Sequence, residues 1–227
     1  MFVASRPFQL PRPKGALRAA GLIGLGLGAV FAVAWSAAHW LIPGVGGLPA
    51  EVVREAPLFA VAYYAHSLPG TIAMVTGAIQ FTLLRDPRRR LPPKRLRLHR
   101  LIGRTYVSAA LAVGMLGFGI SDGATGGFAS HFAFRILAVS IIVTTGLGWH
   151  RIRRGCVESH LEWMTRSYAF LFTFVMFRFW LVVLPGGLTD PEVFTAAAWW
   201  SGFSNLVAAE MINTRRRSTR LASLARD

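Results

Sequence analysis

The chain has 227 residues, 53% of them hydrophobic and only 15% charged, with a formal net charge of +15. Soluble globular domains carry about 25% charged residues, so this composition, with a mean hydropathy of +0.46, excludes an ordinary soluble domain. The net charge alone would suggest a nucleic-acid partner. It sits in short segments between apolar runs, however, which is how a membrane protein holds its cytoplasmic loops, and nucleic acid is not expected. A single cysteine, Cys156, excludes an intramolecular disulfide framework and any CxxC motif.

A basic segment at 1–16 leads into six apolar segments: Leu17–Leu41, Pro57–Leu84, Leu98–Ile120, Ser130–His150, Trp163–Leu184 and Pro191–Ile212. Each approaches or exceeds the ~20 residues that a helix needs to cross a bilayer. Unpaired backbone groups are not tolerated in lipid, so these segments are predicted as helices. The expected fold is all-α: a polytopic membrane bundle of about six helices over 17–213, followed by a basic tail at 214–227. Turn chemistry separates the helices at Pro43–Gly47, Leu91-Pro92-Pro93, Asp122–Gly127 and Pro185-Gly186-Gly187. Ala32-Val33-Ala34 has the form of a leader cleavage site, but the apolar run continues to Leu41, which favours a retained helix.

Basic residues set the orientation. The N-terminal segment (Arg6, Arg12, Lys14, Arg18), alternate connections and the tail hold 22 of the 25 Lys and Arg residues. The second-to-third connection is the richest, running from Arg85, Arg88, Arg89 and Arg90 through Arg104. By the positive-inside rule both termini are cytoplasmic. The expected setting is a bacterial cytoplasmic membrane, with anionic lipids drawn to the basic loops.

Ionisable residues inside a membrane are costly and mark function. The six histidines fall into two layers. His39, His66 and His131 lie toward the outer side, and His99, His150 and His160 at inner helix ends. His66 and His131 lie roughly 27–29 Å above the inner boundary. They are expected to face each other, as are His99 and His160. Imidazoles on facing helices suit bis-histidine haem b. Gly70 and Gly103, four residues after His66 and His99, would let a flat macrocycle approach the backbone. Arg135, Arg100 or Arg104 would pair with propionates. The plainer alternative is that these are interfacial or proton-handling histidines.

Arg178 interrupts the fifth apolar run between Phe177 and Phe179. A buried guanidinium needs partners, and Asn205 and Glu210 of the sixth segment are expected to supply them, with Arg178 either a structural residue or an anion site for a haem propionate, a quinone oxygen or a carboxylated substrate. Gln80 and Tyr63 or Tyr64 would line the same polar interior. Glu162 and Arg166, four apart, are expected to form an ion pair along one helix.

His66-x-x-x-Gly70, Gly77-Ala78-Ile79-Gln80-Phe81, Leu98–Tyr106, His160–Ala169, Arg178 and the Asn205–Glu210 stretch together resemble a family of bacterial membrane proteins, domain-of-unknown-function family 2306 (DUF2306). The resemblance spans roughly Tyr63 to Ile212. It implies a multi-helix membrane protein and carries no established activity. The histidine pairing also resembles, in arrangement, the two-haem transmembrane cytochromes b. The function expected from these features is haem-based electron transfer between a quinone-like donor and an outer acceptor. The alternatives are a small-molecule transporter using Arg178, Asn205 and Glu210, and a non-catalytic subunit of a membrane complex.

Overall fold

The computed structural model describes residues 15–42, 48, 50–83, 92–186 and 190–225. Arg6, Arg12, Lys14, Arg85, Arg88, Arg89, Arg90, Arg226, the Pro43–Gly47 turn and the side chains of Arg18 and His39 lie outside the described residues. The chain is helical throughout the described part: α1 (Gly15–Leu41), α2 (Ala50–Glu55), α3 (Pro57–Leu83), α4 (Pro93–Ile120), α5 (Gly127–Arg153), α6 (Val157–Leu171), α7 (Thr173–Val183) and α8 (Pro191–Leu224), with a 3-10 turn at Ser121–Gly123.

Helix boundaries follow local chemistry. Pro93 opens α4, where a missing N–H costs nothing. Asp190 caps α8 by accepting from the backbone N–H of Glu192 at 2.8 Å, with Pro191 in the first turn. Gly126 and Gly127, both at positive φ, close the α4–α5 connection.

The structure corrects several predicted boundaries. The third segment begins at Pro93 rather than Leu98, so Lys94, Arg95 and Arg97 are helical. The tail is no separate element, because α8 continues to Leu224. The fifth segment is two helices, α6 and α7, bent by 42°. At the bend, Phe172 packs its ring where a Cβ on Gly28 of α1 would lie only 2.5 Å away. Asn205 of α8 donates to the Thr173 hydroxyl at 3.3 Å beside it.

Long helices consecutive in the chain run antiparallel, whereas α5 and α8 pack in parallel, with Phe132 against Trp199 and Leu137 against Gly202. Gln80 meets His99 at one end of the α3–α4 pair, and Phe59 meets Gly123 at the other. The same alternation places the C-terminal end of α5 beside the start of α6, and the last turns of α8 beside Glu162. All the clustered arginines among the described residues therefore gather at one end, termed here the basic end. α6 packs against α3, α5 and α8, while α1 lies outermost against α3 and α7.

The interior is built from small and polar residues. Ala73, Ala110, Ala197, Ala198, Thr145, Ser167, Ser201 and Asn213 have no exposure, whereas Leu58, Val61, Leu101, Met115, Phe128 and Val182 point outward. Lipid tails are as apolar as leucine, so membrane helices associate through small-residue packing and interhelical hydrogen bonds, not by burying large apolar groups. Four helical stretches among the described residues are long and apolar enough to cross a membrane, or five when the bent α6–α7 pair is counted as one span.

Candidate functional site

At the basic end, α3, α4, α5 and α6 bring His99, His160 and Gln80 together. The Gln80 amide donates to the carbonyl of His99 at 2.8 Å, and its own Oε1 is buried without a hydrogen-bond partner. His160 Nδ1 donates to the carbonyl of Gly148 at 2.8 Å. A carbonyl can only accept, so in the neutral ring Nδ1 holds the proton and Nε2 keeps its lone pair. His99 Nδ1 is buried and has no partner among the described residues. The two rings are near enough to interact electrostatically. Arg104, Val107, Ser108, Trp149 and Arg153 line a cleft of about 620 Å³ between α4 and α5, and His99, His160 and Gln80 are not among its lining residues. Gly103 does not open a slot for a macrocycle; it packs against the Gln80 amide, which would lie 3.5 Å from a Cβ there.

The opposite end does not form the expected second pair. His66 turns its ring onto α4, where a Cβ on Gly117 would sit 3.0 Å from it, and its Nδ1 is buried without a hydrogen-bond partner among the described residues. Gly70 faces the Val113 side chain. His131, on α5, hydrogen-bonds the Ala124 carbonyl through Nε2 at 2.9 Å, and its Nδ1 lies 3.8 Å from Asp122. With α4 packed between α3 and α5, His66 and His131 do not face each other. Arg135 pairs with Asp122, which binds its guanidinium at 2.5 and 2.6 Å.

Arg178 has different neighbours from those expected. It faces α1 and α3, not α8. Its guanidinium carbon lies 4.4 Å from the ring centre of Trp35 and 3.8 Å from that of Phe174. Nη1 donates to the Phe174 carbonyl at 2.8 Å, and Nε is buried without a partner among the described residues. Tyr63 and His66 are near enough to interact with it electrostatically. Gln80 lies at the other end of α3 and takes no part.

Asn205 and Glu210 serve packing instead. Asn205 holds the α6–α7 bend, and Glu210 binds Arg166 at 2.5 and 3.0 Å. The expected pair of Glu162 with Arg166 is not formed; Glu162 takes Arg217 of α8. That carboxylate raises the Arg217 pKa, whereas burial lowers that of Arg216, which donates to Thr165 at 2.6 Å. A buried relay was not anticipated from the sequence: Tyr106 and Thr145 each meet the Ser167 hydroxyl at 2.7 Å. Its signal is only the clustering of hydroxyls in apolar runs.

Neither a curated protein nor a solved structure matches the chain. Residues 63–213, two thirds of the chain, match the family described as predicted membrane protein DUF2306. That stretch contains His66, His99, His160 and Arg178 and excludes α1, so the basic-end histidines lie wholly on family-defining helices. The chain belongs to the DUF2306 family of membrane proteins.

Proposed function

We propose that this is a six-span protein of the bacterial cytoplasmic membrane, with both ends cytoplasmic, that binds one b-type haem between His99 and His160 and exchanges electrons with a quinone-like partner. The observation that carries the reading is the hydrogen bond from His160 Nδ1 to the Gly148 carbonyl. Haem-ligating histidines characteristically donate their second ring nitrogen to a carbonyl or carboxylate, which orients the ring and sharpens the lone pair. His99 stands beside it with a buried, unpartnered nitrogen. Two axial imidazoles would favour low-spin iron suited to electron transfer. Arg100 and Arg104 follow His99 on α4 and supply cations for propionates. A second haem between His66 and His131 is not part of this reading, because α4 packs between the helices that carry them.

The sixth span is α8. It is 34 residues long and lies along α5, α6 and α7, with Ser201, Asn205 and Asn213 buried and Trp200, Phe203 and Met211 outward. Those inward polar residues explain its lower hydropathy.

A reduced-minus-oxidised visible spectrum of protein purified from haem-replete cells tests the haem. Soret and α bands should appear, vanish in His99→Ala and His160→Ala, and persist in His131→Ala. A colourless, folded protein sinks the proposal.

A further inference from the structure

We infer that Arg178, Tyr63 and Trp35 form a binding site for a monoanionic oxyanion, near the end of the bundle opposite the basic end. Arg178 lies inside an apolar helix and forms no ion pair with an acidic side chain among the described residues. Its guanidinium has five N–H donors, and one hydrogen bond, to the Phe174 carbonyl, is made with the described residues. Nε is a buried donor with no acceptor among the described residues. A cation inside an apolar helix without an ion pair there is complemented by a bound anion.

The surroundings determine what kind of anion fits. Trp35 and Phe174 pack against the guanidinium, so approach is left to its in-plane N–H edge, which matches a carboxylate or phosphodiester. Tyr63, close enough to interact electrostatically, brings a hydroxyl. His66 is also near; its ring packs against Gly117 of α4, and its buried Nδ1 has no hydrogen-bond partner among the described residues. One positive charge suits one negative charge. Arg178, Trp35 and Tyr63 are each half-buried, so the niche between α1, α3 and α7 can be reached. Trp35 and Tyr63 lie six residues, and Arg178 five, from the helix ends at Leu41, Pro57 and Val183, a depth of roughly 8–9 Å. That depth is within reach of both a dissolved carboxylate and a lipid headgroup.

The site is separate from the basic-end histidines and does not depend on haem. The test is thermal unfolding of the full-length protein in detergent with sodium benzoate, against sodium chloride at equal ionic strength, alongside analysis of the lipid retained after purification. Benzoate should raise Tm saturably in the wild type. Arg178→Lys, which keeps the charge but loses the planar fork, should weaken this about tenfold, and Tyr63→Phe by less. If benzoate has no effect but phosphatidylglycerol co-purifies with wild type and not with Arg178→Lys or Arg178→Gln, the same oxyanion site holds a lipid phosphodiester. If the wild type and Arg178→Lys respond alike to benzoate and retain the same lipids, the site does not exist. Haem spectra are read on the same samples, so failure of one reading leaves the other standing.

Discussion

The ring of Tyr168 occupies the space a side chain at Gly77 would need. A Cβ built on Gly77 would lie 2.2 Å from that ring and 2.9 Å from the ring of Tyr106. The Tyr168 hydroxyl then reaches the Met74 carbonyl at 3.1 Å, one turn earlier on α3. A glycine on one helix thus lets the central helix α6 approach α3, and both residues are nearly or fully excluded from solvent.

Gly77→Ala should therefore destabilise the protein by about 1–3 kcal/mol, the usual cost of overpacking a close-packed interior. Gly146→Ala on α5, where nothing lies within 4 Å of the new methyl, should cause no loss. Thermal unfolding of both variants in detergent checks the pair. Equal effects would refute the α3–α6 contact.

Arg166 and Glu210 should be energetically coupled, and Arg166 and Glu162 should not. The Arg166 side chain is 15% exposed and that of Glu210 43%, so solvent screens the pair partly. A coupling of about 1 kcal/mol is expected from a double-mutant cycle, falling at high salt. The cycle on Glu162 and Arg166 should return a value near zero. A larger coupling there would restore the pairing along one helix.

Cys156 is exposed at the turn between α5 and α6 on the basic end. With that end cytoplasmic, a membrane-impermeant maleimide should label it in inside-out vesicles and not in intact cells. In a Cys156→Ser background, Glu51→Cys should label in intact cells. Ser223→Cys, near the end of α8, should label only in inside-out vesicles. Labelling of Ser223→Cys from outside would remove α8 from the spans.

Helix content and rough span limits were legible because lipid leaves a backbone no alternative to helix, and apolar length is a local property. Proline and glycine marked the connections for the same reason: Pro93, Gly126 and Asp190-Pro191 act through their own backbone. The α6–α7 bend was not legible. No proline stands at Phe172, and the bend coincides with a ring packed against Gly28 and a hydrogen bond from Asn205, both distant in sequence.

The candidate site divides along the same line. Residue type and depth were enough to single out His66, His99, His160 and Arg178, because the cost of a polar group in lipid depends mainly on how deep it lies. Which of them meet depends on rotation about each helix axis and on which helix lies between. That is decided by packing at glycines such as Gly77 and Gly117, and by where acids such as Asp122 and Glu210 find partners. Sequence alone identified an all-helical membrane bundle with costly polar groups inside it. Tertiary structure separated His66 from His131, gave Glu210 to Arg166, and left Arg178 between aromatic rings with no acid to meet it, because side-chain direction is a long-range property that no local pattern records.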